Sequence, residues 1–137
     1  MRTRAIWVVA GLILASFAGC SPLNQYSDPC RGNSATVSVG PGQLHMRPEC
    51  LEIEAGGSIE LRLRLADGVG DVMTRPAPAN ENAKWLSSSE LRDGTIVLTA
   101  PSEKSGNDPC QEDVCEYKFE IIADKVGELD PRVRIRY

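Results

Sequence analysis

From Ser58 to Leu65 the chain alternates strictly, with Ile59, Leu61, Leu63 and Leu65 apolar and Glu60, Arg62 and Arg64 charged. Successive side chains of an extended strand point to opposite faces, so this pattern predicts a strand with one buried and one solvated face. The same period of two recurs in Ala35-Thr36-Val37-Ser38-Val39, and it continues through Leu44, Met46, Leu51 and Ile53 across Pro48. It returns in Tyr117-Lys118-Phe119-Glu120-Ile121 and in Arg132-Val133-Arg134-Ile135-Arg136-Tyr137, while Thr95 to Ala100 reads as a strand stopped by Pro101. Gly, Pro and Asp turns separate these runs, and no amphipathic helix of useful length follows Cys20. The expected fold is all-β, a single antiparallel β-sandwich over residues 35–137.

Several finer expectations follow from the same pattern. Leu51 to Glu54 and Ile59 to Leu65 read as neighbouring strands around the turn Ala55-Gly56-Gly57. Arg132, Arg134 and Arg136 read as the charged rim of an edge strand, protected from pairing with other chains. Lys84 to Leu91 reads as a short strand or a single helical turn, with Trp85 as the bulky core residue of that half. At 137 residues there is room for one domain only. An apolar fraction of 42% is too high for a disordered chain, and 25% charged residues exclude a multi-span membrane protein.

The first nineteen residues read as a secretory signal: Arg2 and Arg4, an apolar run from Ala5 to Ala18, then small residues. The run is short for a permanent membrane span. Phe17-Ala18-Gly19-Cys20 resembles the lipobox of bacterial lipoproteins, departing from it at Phe17, where Leu is usual. That resemblance implies cleavage before Cys20, lipidation of Cys20 with acyl chains such as palmitate, and a membrane anchor for the domain. Residues 20–34, rich in polar and turn-forming side chains, read as the lipidated tether. Ser21 after the Cys resembles the sorting signal for the outer membrane, facing the periplasm. The alternative is an ordinary secretory signal cut near Ala18.

With the signal removed, Arg2 and Arg4 are lost and the net charge moves from −4 to about −6. No cluster of Lys and Arg is visible along the chain, which argues against nucleic-acid binding and against electrostatic docking on anionic lipid. Removal of Cys20 from the count leaves Cys30, Cys50, Cys110 and Cys115, an even set in an exported chain. Disulfides are the expectation. Three pairings are open, and Cys30–Cys50 with Cys110–Cys115 is favoured because the second loop encloses only Gln111 to Val114. Zinc is the weaker reading, since no second close pair or suitable His follows Cys115.

The stretch from Arg47 to Leu61 resembles the early strands of the cupredoxin fold, with its Pro, alternating strand, Gly turn and second alternating strand. Tyr117 to Tyr137 is similar to the closing strands of such a sandwich, and an immunoglobulin-like sandwich would give much the same pattern. A blue-copper site needs two His and a Cys thiolate. His45 is the only His, and Cys115 is followed by Glu116-Tyr117-Lys118. The resemblance therefore implies a metal-free version, and electron transfer is disfavoured.

No catalytic site or cofactor is expected. His45 has no partner placed by sequence, and no nucleophile elbow or phosphate-binding Gly-rich loop occurs. Asp67-Gly68-Val69-Gly70-Asp71 reads as a solvated hairpin tip. The acidic loop with Asp108, Glu112 and Asp113 offers calcium candidates without the spacing of a known calcium loop. The expected function is a lipid-anchored binding or structural module of the cell envelope, with an unknown envelope protein or ligand as partner. A calcium- or metal-dependent binding domain is the alternative.

Overall fold

The computed structural model describes residues 29–88 and 94–137, so Cys20 and the signal segment lie outside the described residues. Among the described residues there are nine strands: β1 (Ser34–Gly40), β2 (Gln43–Arg47), β3 (Cys50–Glu54), β4 (Ser58–Leu65), β5 (Val72–Pro76), β6 (Thr95–Thr99), β7 (Val114–Ala123), β8 (Gly127–Leu129) and β9 (Arg132–Arg136). They form two sheets, ordered β2-β1-β4-β6 and β3-β9-β7-β5, with β8 paired to β7. Two short 3-10 turns, Pro78–Asn80 and Lys84–Leu86, lie between β5 and β6.

The pairing corrects the expectation of an antiparallel sheet structure. β1 runs parallel to β4 and β3 runs parallel to β9, so both sheets are mixed. The change of sheet falls at Pro48, across which the period of two continues in the sequence. β2 hairpins onto β1 through Gly42, whose φ of 66° suits glycine. Beyond the cis Arg47–Pro48 bond the chain enters the other sheet as β3. It returns through Ala55-Gly56-Gly57, where Gly56 has a φ of 78° and the Gly57 amide donates to the Glu54 carbonyl at 2.9 Å. β4 thus comes back beside β1 in the same direction. The expected hairpin of β3 with β4 is corrected too, because the turn joins the two sheets.

Both inner faces feed one hydrophobic cluster. Val37, Ile59, Leu61 and Ile96 come from the first sheet, and Leu51, Phe119, Ile121, Val133 and Ile135 from the second, all fully buried. The alternation of β4 fades along its length: Ile59 and Leu61 are buried, whereas Leu65 is 42% exposed. β6 pairs with β4 from Ser58 to Arg62, and just beyond it the Leu63 N–H donates to the Gly94 carbonyl at 2.8 Å.

β9 is not an edge strand. It lies between β3 and β7, and its arginines cross-link the outer face of the second sheet. Arg136 pairs with Glu52 at 2.7 Å, and Glu116 receives Arg132 at 3.3 Å and Arg134 at 3.5 Å. Further along that face Arg75 pairs with Glu120 and reaches Glu128 at 3.9 Å. The hydrogen bond that Arg75 donates to Glu120 raises the Arg75 pKa above its ordinary value.

The disulfides are Cys30–Cys50 and Cys110–Cys115. The first joins the segment before β1 to the start of β3. That segment, expected as tether, is also held by Arg31 N–H to the Cys50 carbonyl, Glu52 N–H to the Gly32 carbonyl and Glu60 N–H to the Asn33 carbonyl. Residues 30–33 therefore belong structurally to the domain.

Candidate functional site

A cleft of about 480 Å³ opens beside the far end of β7 from the β5 side, between the 3-10 turns and the loop from β6 to β7. Its volume falls within the range of small-molecule sites. The apolar walls come from Trp85, Tyr117, Tyr137, Pro101 and Pro109. The polar lining comes from Asn82, Lys84, Glu103, Lys104 and Asp108.

The aromatic wall is fixed by contacts from three directions. Tyr117 is on the inward face of β7 and only 3% exposed. Its ring meets Trp85 edge-on, with centroids 6.0 Å apart and planes at 79°, a favourable arrangement for two aromatic quadrupoles. Its hydroxyl donates to Asp108 Oδ2 and lies 2.9 Å from the Tyr137 hydroxyl. Burial, followed by those hydrogen bonds, pushes the Tyr117 pKa well above the usual tyrosine range, so the phenol stays neutral. Lys104 lies over the Tyr137 ring with Nζ 5.0 Å from its centroid, and donates to the Glu112 carbonyl.

Trp85 was expected in the core, but the 3-10 turn Lys84–Leu86 turns Leu86 inward instead. Leu86 is fully buried and Trp85 is half-buried on the cleft wall. One helical turn of three residues can present only one of its large side chains to the core. The expectation of a short strand or helical turn here is met by the 3-10 turn itself.

The acidic loop is not assembled as a cation site. Asp108 Oδ1 accepts the Cys110 N–H at 2.9 Å and Oδ2 accepts Tyr117, so its carboxylate is used within the fold. Glu112 and Asp113 contribute backbone carbonyls, to Lys104 and to the Tyr137 N–H. No group of three or more His, Cys, Asp or Glu side chains gathers among the described residues. Asp67 and Asp71 sit on the exposed connection between β4 and β5. His45 is exposed on β2, opposite Ser38, and lies in a different depression from the aromatic cleft. The lipidation residue Cys20 lies outside the described residues, and the four other cysteines form the two bridges.

The cleft was missed in the sequence because its parts are remote from one another. Trp85, Asp108, Tyr117 and Tyr137 belong to different segments, and only the fold brings them together. The one available signal is that two loops rich in Pro and polar residues, 76–83 and 101–109, lead into the Trp85 segment and into the strand that carries Tyr117. What the fold defines is a β-rich, disulfide-bonded domain with an aromatic cleft. Neither family models nor curated proteins match this chain.

Proposed function

We propose that this chain is a lipid-anchored binding module of the bacterial cell envelope, held through acyl chains on Cys20, with the aromatic cleft as its binding site. The observation that carries the reading is the cleft itself: Asp108 and Tyr137 hold the Tyr117 hydroxyl, Lys104 covers the Tyr137 ring and Trp85 packs edge-on against Tyr117, all before any ligand arrives. A preorganised wall loses little conformational entropy on binding. The side chains of Asn82 and Lys84 extend the site with donors that make no hydrogen bond among the described residues. Such a surface suits a small amphipathic ligand with an apolar face and hydroxyl or amide edges, such as a sugar ring or a short peptide. Binding rather than catalysis is the role, and no cofactor is required.

The fold is read as a metal-free, cupredoxin-like β-sandwich. The parallel β1–β4 ladder supports this over the immunoglobulin-like alternative, whose two sheets are antiparallel. The lipobox-like Phe17-Ala18-Gly19-Cys20 and Ser21 support an outer-membrane anchor facing the periplasm.

The test uses a property of the sequence. Trp7 lies in the signal, so Trp85 is the sole tryptophan of the mature chain and its emission reports the cleft. Titration with soluble muropeptides and envelope oligosaccharides is expected to shift or quench that emission saturably, and Tyr137→Ala to weaken the response. Emission unchanged by every member of that panel would sink the cleft as the binding site.

A further inference from the structure

The outer faces of the two sheets carry charge in opposite ways. On the second sheet each arginine of β9 meets a carboxylate within 3.5 Å. The first sheet differs. Thr36 of β1 lies between Arg47 of β2 and Arg62 of β4, and Ser38 lies between His45 and Arg64. These six residues share one outward face, with the arginines and His45 exposed and the two small hydroxyl residues at its centre. Among the described residues no ion pair involves Arg47 or Arg64, and Arg62 has only Glu60 at 3.9 Å, with both side chains about half exposed or more. Such an exposed pair contributes little. Beside Arg64 and His45 the surface dips into a shallow depression of about 300 Å³, which Ser38 and Leu65 also line.

We propose that this face docks on phosphate-bearing lipid headgroups of the membrane that carries the anchor. The proposal rests on the lipid-anchor reading. Three guanidiniums around a hydroxyl-lined centre match phosphate in both charge and hydrogen-bonding geometry. The acid surplus of the whole chain does not cancel this local attraction. At physiological ionic strength charges are screened over about 8 Å, so carboxylates on the far sheet are not felt at the docked face. Sequence reading found no basic cluster because the three arginines are separated along the chain and meet only through the β2-β1-β4 register. Reach is sufficient as well. Cys30 is fixed to the domain, and the ten steps from Cys20 span at most roughly 35 Å. A domain of about 100 residues has a radius of gyration near 13 Å, so that length allows this face to turn to the surface.

His45 provides the readout, because it is the chain's only histidine and sits within the patch. The full lipidated protein is reconstituted into phosphatidylcholine vesicles with or without phosphatidylglycerol, and the rate of His45 modification by diethyl pyrocarbonate is measured. Docking is expected to slow the reaction about tenfold on the anionic vesicles. The protection is expected to vanish in about 0.5 M salt, where screening is tighter. It is also expected to vanish in the exposed-site variant Arg47→Gln/Arg62→Gln/Arg64→Gln. Equal rates on neutral and anionic vesicles, or protection that survives in the triple variant, overturn the proposal. Flotation with neutral vesicles in high salt reports the acyl anchor separately. Release there overturns the anchor alone, and the low-salt comparison of anionic with neutral vesicles still decides the docking.

Discussion

Thr74 and Tyr117 are two buried polar side chains that the fold treats in opposite ways. Thr74 is 1% exposed on β5, and its Oγ1 has no hydrogen-bond partner among the described residues. An unpaired buried hydroxyl costs on the order of 1–3 kcal/mol, and an apolar group of the same shape removes that cost. Thr74→Val is therefore expected to raise stability by about 1 kcal/mol, read as a higher urea midpoint with an unchanged slope. Tyr117 is fully engaged, by Asp108 and Tyr137. Tyr117→Phe is expected to cost about 1–2 kcal/mol and to leave Asp108 Oδ2 without that donor. The pH dependence follows from the raised pKa. Below a pH of about 10 both folded and unfolded chains keep the phenolic proton, and the contribution is fully present. Above it the unfolded chain releases the proton first, so stability falls as pH rises. Urea midpoints from about pH 8 to 11 are expected to fall more steeply in the wild type than in Tyr117→Phe. Parallel curves would show that Tyr117 ionises normally in the folded state.

At the scale of elements, the two bridges close loops of different length. Cys30 and Cys50 are 20 positions apart, and Cys110 and Cys115 are 5 apart. Loop-closure entropy gives about 3 kcal/mol for the first and about 2 for the second. The double replacements Cys30→Ala/Cys50→Ala and Cys110→Ala/Cys115→Ala are expected to lose stability in that order, read from urea unfolding. The second pair has an added consequence, since Asp108 and Pro109 line the cleft next to Cys110. Its loss is expected to weaken any Trp85 response more than its stability cost alone implies.

The strands themselves were legible in the sequence, and their partners were not. Alternation in Ser58 to Leu65 or Tyr117 to Ile121 states which side chains face inward. It carries no information on which strand lies alongside. Hence the crossing at Pro48, the parallel ladders and the interior place of β9 emerged only from the fold. Arg132, Arg134 and Arg136 imitate an edge because a strand whose outward partners are Glu52 and Glu116 has the same sequence as one facing water. Trp85 was misplaced for a related reason: size predicts burial, but the 3-10 turn decides which of Trp85 and Leu86 enters the core. The cleft and the arginine patch were both invisible, because each is assembled from residues distant along the chain.

At the scale of the whole molecule, three features divide the labour. One sheet face has its arginines paired, the other presents Arg47 and Arg64 without an ion pair among the described residues and Arg62 with only Glu60 at 3.9 Å, and the aromatic cleft lies apart from both. None of these supplies the apolar area needed to hold the domain in a neutral micelle. Among the described residues the large apolar side chains left exposed are Leu65, Met73, Val97 and Val114, single residues scattered over different strands. Lone exposed apolar residues of this kind are ordinary on soluble surfaces. The arginine patch has no anion to bind in a non-ionic detergent. Acyl chains differ in magnitude, contributing about 0.8 kcal/mol for each buried CH₂, and two or more chains give stable anchoring where one does not. Partition into Triton X-114 therefore isolates the contribution of Cys20 from that of every folded surface. The mature wild-type chain is expected in the detergent phase, and the chain with Cys20→Ala in the aqueous phase once its signal has been cleaved. The Arg47→Gln/Arg62→Gln/Arg64→Gln variant is expected to partition like wild type. Detergent partition of cleaved Cys20→Ala equal to wild type would mean that Cys20 carries no lipid, and that the lipobox-like segment is an ordinary secretory signal.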